Sequence, residues 1–225
     1  MKIFESSDDL QFFLDSYKNN HKKVTLVPTM GGLHDGHLRL IEKAKTLADV
    51  VVVSIFVNPT QFSKGEDFES YPKNFTNDKA LLVERGVDVL FIPSKSEIYP
   101  NGTLSNYEVG AMGQILCGVF RPFHFNGVAQ VVKRLFDIVK PDYSVFGEKD
   151  YQQLLIIKSL VKNLDLSVFI ESVVTQRESD NLAISTRNQY LNIENRKKAP
   201  LFYRHLSKAK AAIEQGNSIE LVKQK

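Results

Sequence analysis

Val24-Thr25-Leu26-Val27-Pro28-Thr29-Met30-Gly31-Gly32-Leu33-His34-Asp35-Gly36-His37-Leu38-Arg39-Leu40 is the stretch from which the rest of the chain is read. Val24 to Val27 is a short apolar run with β-branched residues, Gly31 and Gly32 are permissive turn residues, and a helical pattern starts at Gly36. The order is strand, glycine turn, helix. His34 and His37 stand three residues apart at the helix start. They share a face beside unpaired backbone N–H groups and the positive end of the helix dipole. Such a corner favours an anion, above all a phosphate. A His-x-x-His pair could also be half of a zinc site, and a lone histidine there could be a surface or capping residue. A zinc cage needs more ligands, and His21, His124, His205 and the single Cys117 supply no Cys-x-x-Cys cluster, so no metal-ligand cluster is expected.

Outward from this stretch, the pattern alternates between strands and helices. Leu10, Phe12, Phe13, Leu14 and Tyr17 predict an amphipathic helix over 8–20, and Leu38 to Ala48 continue the helix over 36–48. Val50 to Val57 is a continuous apolar run, as expected of a strand buried on both faces of a parallel sheet. It ends in Asn58-Pro59-Thr60-Gln61. The carboxyl ends of strands hold the ligand in open α/β sheets, which makes Asn58 and Gln61 candidate site residues; Asn58-Pro59 could equally be only a turn. A helix over 75–85, a strand over 87–93, a helix over 127–139 and a strand over 143–146 follow. The helix over 127–139 reads as core and nothing more. Between these elements, 94–126 is irregular, with a strand expected near Tyr107-Glu108-Val109. After a glycine, a helix over 150–163 and a strand over 168–174 complete the main pattern, and residues past 190 read as helical.

Two of these segments, taken with the first, identify a family. Pro28 to His37 resembles the signature of the pantothenate synthetases (pantoate–β-alanine ligases), within the nucleotidyltransferases that carry His-x-Gly-His. Phe56 to Phe62 is similar to the family's second motif, and Phe146-Gly147-Glu148-Lys149-Asp150-Tyr151-Gln152-Gln153 to its phosphate and pantoate motif. Ile184-Ser185-Thr186-Arg187-Asn188 is similar to its Met-Ser-Ser-Arg-Asn loop, with isoleucine for methionine. Arg121-Pro122-Phe123-His124-Phe125 resembles its Arg-Pro-Gly-His-Phe region, with Phe123 where glycine is usual, and Asn181 also replaces a usual glycine. Asparagine enters left-handed conformations more readily than most residues, whereas phenylalanine at 123 puts the local backbone in question.

The resemblance implies catalytic roles for His34, His37, Lys149, Ser185 and Arg187. It implies ATP binding by Met30, His37, Gly147, Lys149, Asp150, Ile184, Ser185, Thr186 and Arg187, and pantoate binding by Asn58, Gln61 and Gln153. The substrates would be pantoate, β-alanine and ATP with Mg²⁺, the partner a second copy of the chain in a homodimer. Family members have a fuller C-terminal domain, so the tail reads as shortened. The expected fold is an α/β Rossmann-like doubly wound sheet of five parallel strands, with an ATP- and pantoate-binding domain over 1–175 and a C-terminal lid region over 176–225.

Composition narrows the alternatives. Of the 225 residues, 29 are basic and 26 acidic, a net charge of +3 that is too balanced for a nucleic-acid footprint. No run approaches the roughly 20 apolar residues needed to span a bilayer. The first residues turn acidic too early for a signal peptide and one cysteine excludes an intramolecular disulfide framework, so a cytoplasmic location is expected. No Gly-x-Gly-x-x-Gly, Walker A or Gly-x-Ser-x-Gly motif occurs, which argues against a dehydrogenase, a P-loop kinase and a serine hydrolase. Another nucleotidyltransferase and a non-catalytic nucleotide-binding protein remain as alternatives.

Overall fold

Alternation along the central strands determines the layers. Val24, Leu26, Val50 and Val52 face one hydrophobic cluster, while Val27, Val51 and Val53 face another. Side chains one residue apart leave opposite faces of a strand, so an unbroken apolar run requires helices on both sides. In the computed structural model, which describes residues 1–103 and 107–224, that is the arrangement found. The strands are β1 (Lys2–Phe4), β2 (Val24–Thr29), β3 (Val50–Ile55), β4 (Val89–Phe91), β5 (Tyr143–Gly147) and β6 (Phe169–Val173). They form one sheet in the order β1-β4-β3-β2-β5-β6, every neighbouring pair parallel.

The helices of the first unit are α1 (Ser7–Lys18), α2 (Asp35–Lys45), α3 (Phe75–Glu84), the short α4 (Lys95–Ile98) and α5 (Cys117–Phe120), α6 (His124–Val139) and α7 (Tyr151–Asn163). Leu10 and Leu14 of α1, the apolar stripe of α6, and Leu154, Ile157 and Leu160 of α7 cover one face of the sheet. Leu38, Leu40, Ile41 and Ala44 of α2 cover the other, with Leu82 of α3. The sheet order reverses between β2 and β5, where helices leave toward opposite faces. Their carboxyl ends open the crevice that such a switch point creates.

Two expectations from the sequence need correction. The sheet has six strands, not five: β1 pairs with β4 through Lys2↔Val89, Ile3↔Leu90 and Phe4↔Phe91. Three residues are too few to show a period, so only the sheet edge reveals β1. Conversely, Tyr107 to Gly110 form no strand. Tyr107 and Val109 instead pack against the core cluster beneath α6, so they satisfy an apolar requirement without ladder bonds. Residues 104–106 of the same irregular segment lie outside the described residues.

The chain divides into two compact units, Met1–Val174 and Thr175–Lys225. The second starts with a narrow turn bridged at Arg177↔Ala183, in which Asn181 has φ 73°. It continues through α8 (Ile193–Lys198), α9 (Pro200–Glu214) and α10 (Ile219–Lys223). Within this unit the Arg177 guanidinium lies 3.4 Å from the centre of the Tyr203 ring, a cation–π contact.

Phe123 resolves the question raised by its missing glycine. It holds φ 67° and ψ −8°, the left-handed conformation, immediately before α6. The backbone thus keeps a glycine-like turn and the phenylalanine bears the strain, with its ring 81% exposed. Left-handed geometry costs a non-glycine residue roughly 1–2 kcal/mol. Phe123→Gly is therefore expected to stabilise the protein by about 1 kcal/mol, seen as a higher urea midpoint at unchanged slope. A lower midpoint would show that the exposed ring carries packing that outweighs the strain.

Candidate active site

The turn after β2 sets the site. Gly31 and Gly32 have φ 82° and 64°, so two successive residues adopt the left-handed conformation. The carboxylate of Asp78, in the first turn of α3 and only 2% exposed, fixes them. It accepts hydrogen bonds from the backbone N–H of Gly32 at 2.9 Å and of Leu33 at 2.7 Å. A Cβ on Gly31 would sit 3.1 Å from that carboxylate and from Ile55. Asp78 was not recognisable from sequence, because an acidic residue in a helix's first turn is the ordinary complement to the dipole.

His34 then caps α2. Its Nδ1 accepts from the N–H of Gly36 at 3.1 Å, and Nδ1 of His37 accepts from the N–H of His34 at 3.3 Å. The rings lie 4.1 Å apart. Because each Nδ1 accepts, each neutral ring carries its proton on Nε2. Burial, and after it the Lys149 cation, lowers the His34 pKa. Burial foremost, then His34 and Lys149, lowers that of His37 to about 3. At neutral pH both are therefore uncharged Nε2–H donors at a helix N-terminus.

Lys149 comes from the other side of the switch point. It lies in the 3₁₀ turn Glu148–Asp150, between Gly147 at the end of β5 and α7, and pairs with Asp150 at 3.1 Å. The pairing of β5 with β2 brings this turn to the same end of the sheet as His34 and His37, and the Lys149 charge adds to the lowering of both their pKa values. The side chain of Gln153, half-buried in the first turn of α7, makes no hydrogen bond among the described residues, which leaves its amide available. The neighbouring Gln152 is committed to the irregular segment: its Nε2 donates to the carbonyls of Met112 and Ile115, both at 2.8 Å.

Gln61 is held from three sides. Its Nε2 donates to Sδ of Met30 at 3.2 Å, and its Oε1 accepts from Nδ2 of Asn58 at 3.1 Å. Asn58 is 1% exposed and its amide is wholly used, also donating to the carbonyl of Gly127 and accepting from Thr60 and Tyr99. It lies beneath Gln61 rather than beside open space. The carbonyl of Gln61 accepts from Nδ1 of His124 at 2.6 Å and from Arg121 at 3.2 Å. The start of α6 thus holds the backbone of Gln61, while its stripe from Val128 to Val139 is core. A Cβ on Gly127 would come within 2.3 Å of the Thr60 carbonyl, so only glycine permits this approach.

The first unit accordingly brings together Met30, His34, His37, Asn58, Gln61, Gly147, Lys149, Asp150 and Gln153 at the carboxyl ends of β2, β3 and β5. Ile184, Ser185, Thr186 and Arg187 lie in the second unit, where the Ser185 hydroxyl accepts from the N–H of Arg187 at 3.3 Å and caps the 3₁₀ turn Thr186–Tyr190. Among the described residues no group of three or more His, Cys, Asp or Glu is arranged to hold a metal. No helix among them is long and apolar enough to cross a membrane.

A parallel sheet whose switch point carries helix-terminal imidazole donors, a lysine and positioned amides is that of an α/β nucleotide-binding enzyme. Within that class the chain belongs to the pantoate–β-alanine ligase family, whose pattern it matches over residues 2–225. It is 48% identical over 223 residues to the pantothenate synthetase of Vesicomyosocius okutanii, covering 99% of this chain and 79% of that protein. With the pantothenate synthetase of Carboxydothermus hydrogenoformans it shares 50% over 217 residues, 96% of this chain and 77% of the other. The crystal structure of pantothenate synthetase from Thermus thermophilus matches with a TM-score of 0.92 and 45% identity, over 99% of this chain and 79% of that one. Pantoate–β-alanine ligase from Francisella tularensis, complexed with beta-gamma ATP and β-alanine, gives 0.86 and 42%, over 91% and 78%.

The depressed His37 pKa makes stability depend on pH. Above about 6.5 neither folded nor unfolded state protonates this group. Between there and about 3 the unfolded state takes a proton that the folded state refuses, so stability falls as pH falls. The slope from one such group approaches about 1.4 kcal/mol per pH unit. Urea midpoints measured between pH 7 and 5 should decline less steeply in His37→Gln than in the wild type; parallel declines would contradict the neutral imidazole.

Proposed function

We propose that the chain joins pantoate to β-alanine at this site through an acyl adenylate. A pantoate carboxylate oxygen attacks the α-phosphorus of MgATP and the bond to the bridging oxygen breaks, giving pantoyl adenylate and pyrophosphate. The β-alanine amine then attacks the acyl carbon and loses a proton, and AMP leaves with the pair of electrons from the carbon–oxygen bond. The protein contributes orientation of two mutually repelling anions and stabilisation of charge on phosphate.

The observation that carries this reading is the pair of neutral Nε2–H imidazoles at the start of α2, with the Lys149 charge beside them. Two uncharged donors and one cation can follow the redistribution of charge on a triphosphate without a metal cage built from protein. Mg²⁺ accompanies ATP on its phosphates. Met30, Gly147 and Asp150 are assigned to the nucleotide, with Asp150 near its ribose or the magnesium ion. Gln61 and Gln153 are assigned to pantoate. Neutral amides suit that task, since they orient a carboxylate without neutralising it as a nucleophile. Asn58 serves pantoate by holding Gln61. Assignment of Ile184, Ser185, Thr186 and Arg187 to ATP, as part of a lid formed by residues 176–225, rests on the sequence resemblance. A homodimer is expected on the same ground, and the cytoplasm as its setting from the single cysteine.

The test is pyrophosphate release from MgATP with pantoate alone, then with β-alanine. A pantoate-dependent burst that β-alanine converts to turnover is expected; nucleotide binding without a burst would refute adenylation here. Gln61→Ala should raise the pantoate KM strongly and leave ATP binding near normal, and equal loss of both would overturn that division. His34→Ala should slow single-turnover adenylate formation by roughly 10²–10³-fold, the usual effect of losing one preorganised donor. An unchanged rate would remove His34 from the machinery.

A further inference from the structure

Arg121, His124 and Glu66 form a closed network around a single atom, the main-chain carbonyl oxygen of Gln61. Nε and Nη2 of Arg121 donate to the two oxygens of Glu66 at 2.7 and 2.6 Å, a bidentate pair. The same Nη2 donates to the Gln61 carbonyl at 3.2 Å, and Nη1 lies 3.1 Å from Nε2 of His124. Nδ1 of His124 closes the ring on the Gln61 carbonyl at 2.6 Å.

The chemistry of the partners specifies the imidazole. A carbonyl oxygen can only accept and a guanidinium can only donate. His124 must therefore be neutral, with its proton on Nδ1 and its lone pair on Nε2, the opposite tautomer to His34 and His37. Burial favours the same uncharged form, and His124 is 8% exposed. The left-handed turn at Phe123 makes the arrangement possible, because it brings Arg121 and His124 back to the same carbonyl.

We propose that Arg121, His124 and Glu66 are positioning residues for pantoate, acting through the backbone of Gln61 and not by touching the substrate. The inference rests on the ligase reading above, in which Gln61 binds pantoate. Four of the five N–H donors of Arg121 are engaged by Glu66, the Gln61 carbonyl and His124, so the guanidinium is committed chiefly to orienting protein. The side chain of Gln61 spans from Asn58 to Met30, and a shift of its backbone would misplace the amide that both hold.

The experiment compares Glu66→Gln, Arg121→Lys and His124→Gln with the wild type, using separate KM values for pantoate and ATP together with histidine nitrogen NMR. Each variant is expected to raise the pantoate KM about tenfold or more, the scale of a small misplacement, with ATP KM and kcat changed less than about threefold. In the wild type the NMR should report the Nδ1–H tautomer for His124, and Arg121→Lys should release it to a mixture. Equal changes in both KM values, or none in either, would overturn the positioning role. An Nε2–H or doubly protonated His124 in the wild type would overturn the network itself, whatever the enzyme's activity. Failure of the ligase reading is recognised separately, by a wild type that shows no pantoate-dependent pyrophosphate release while its His124 tautomer is as described. In that case the network holds Gln61 for another purpose, and the proposal of pantoate positioning falls with it. Glu66 lies on a partly exposed loop, so Glu66→Gln supplies the comparison if the other two variants unfold.

Discussion

A buried carboxylate held by two backbone amides governs this site. Asp78 accepts from the amides of Gly32 and Leu33 and so holds two left-handed glycines in place at the end of β2. Hydrogen bonds to charged groups contribute roughly 1.5–3 kcal/mol, and a buried carboxylate left without them would be far costlier. The chain is thereby committed to one direction as it enters α2. That direction places His34 at the cap and His37 one turn on.

Three histidines near the crevice serve different ends because their surroundings select different tautomers. His34 and His37 accept at Nδ1 from backbone amides and present Nε2–H. His124 donates from Nδ1 to a carbonyl and accepts at Nε2 from Arg121. In all three the neutral form is favoured by burial. The positive charge beside the crevice is consequently carried by Lys149 and the helix terminus, while the imidazoles give directional donors. This separates the attraction of an anion from its alignment.

The two positions at which the sequence resemblance implies glycine have related outcomes. Asn181 adopts φ 73° and Phe123 adopts φ 67°, so both positions keep the backbone that glycine would take. Asparagine does so at little cost, whereas phenylalanine carries strain. At 123 the surroundings over-determine the turn: His124 and Arg121 are bound to the Gln61 carbonyl, and Gly127 packs against Thr60. A local preference yields to this set of contacts because all of them would have to break together.

Much of the fold was legible along the chain. The continuous apolar run from Val50 to Val57 predicted a strand covered on both faces, and the apolar run at Val24 to Val27 with the glycines before His34 predicted strand, turn and helix in the order found. These features are local: they depend on side-chain period and on the few residues that tolerate positive φ. The strand Lys2 to Phe4 was not legible, since its only cause is the open edge of β4. Nor were the contacts of Asp78, Glu66, Arg121 and His124, because Asp78, Arg121 and His124 bond backbone groups distant in sequence and Glu66 bonds the distant Arg121 side chain. The sequence by itself determined the strand–turn–helix order, the layers and the donor types available to a phosphate. Only the tertiary structure decided which tautomers those donors adopt and what holds Gln61, because burial and hydrogen-bond partners come from segments that meet when the sheet is assembled.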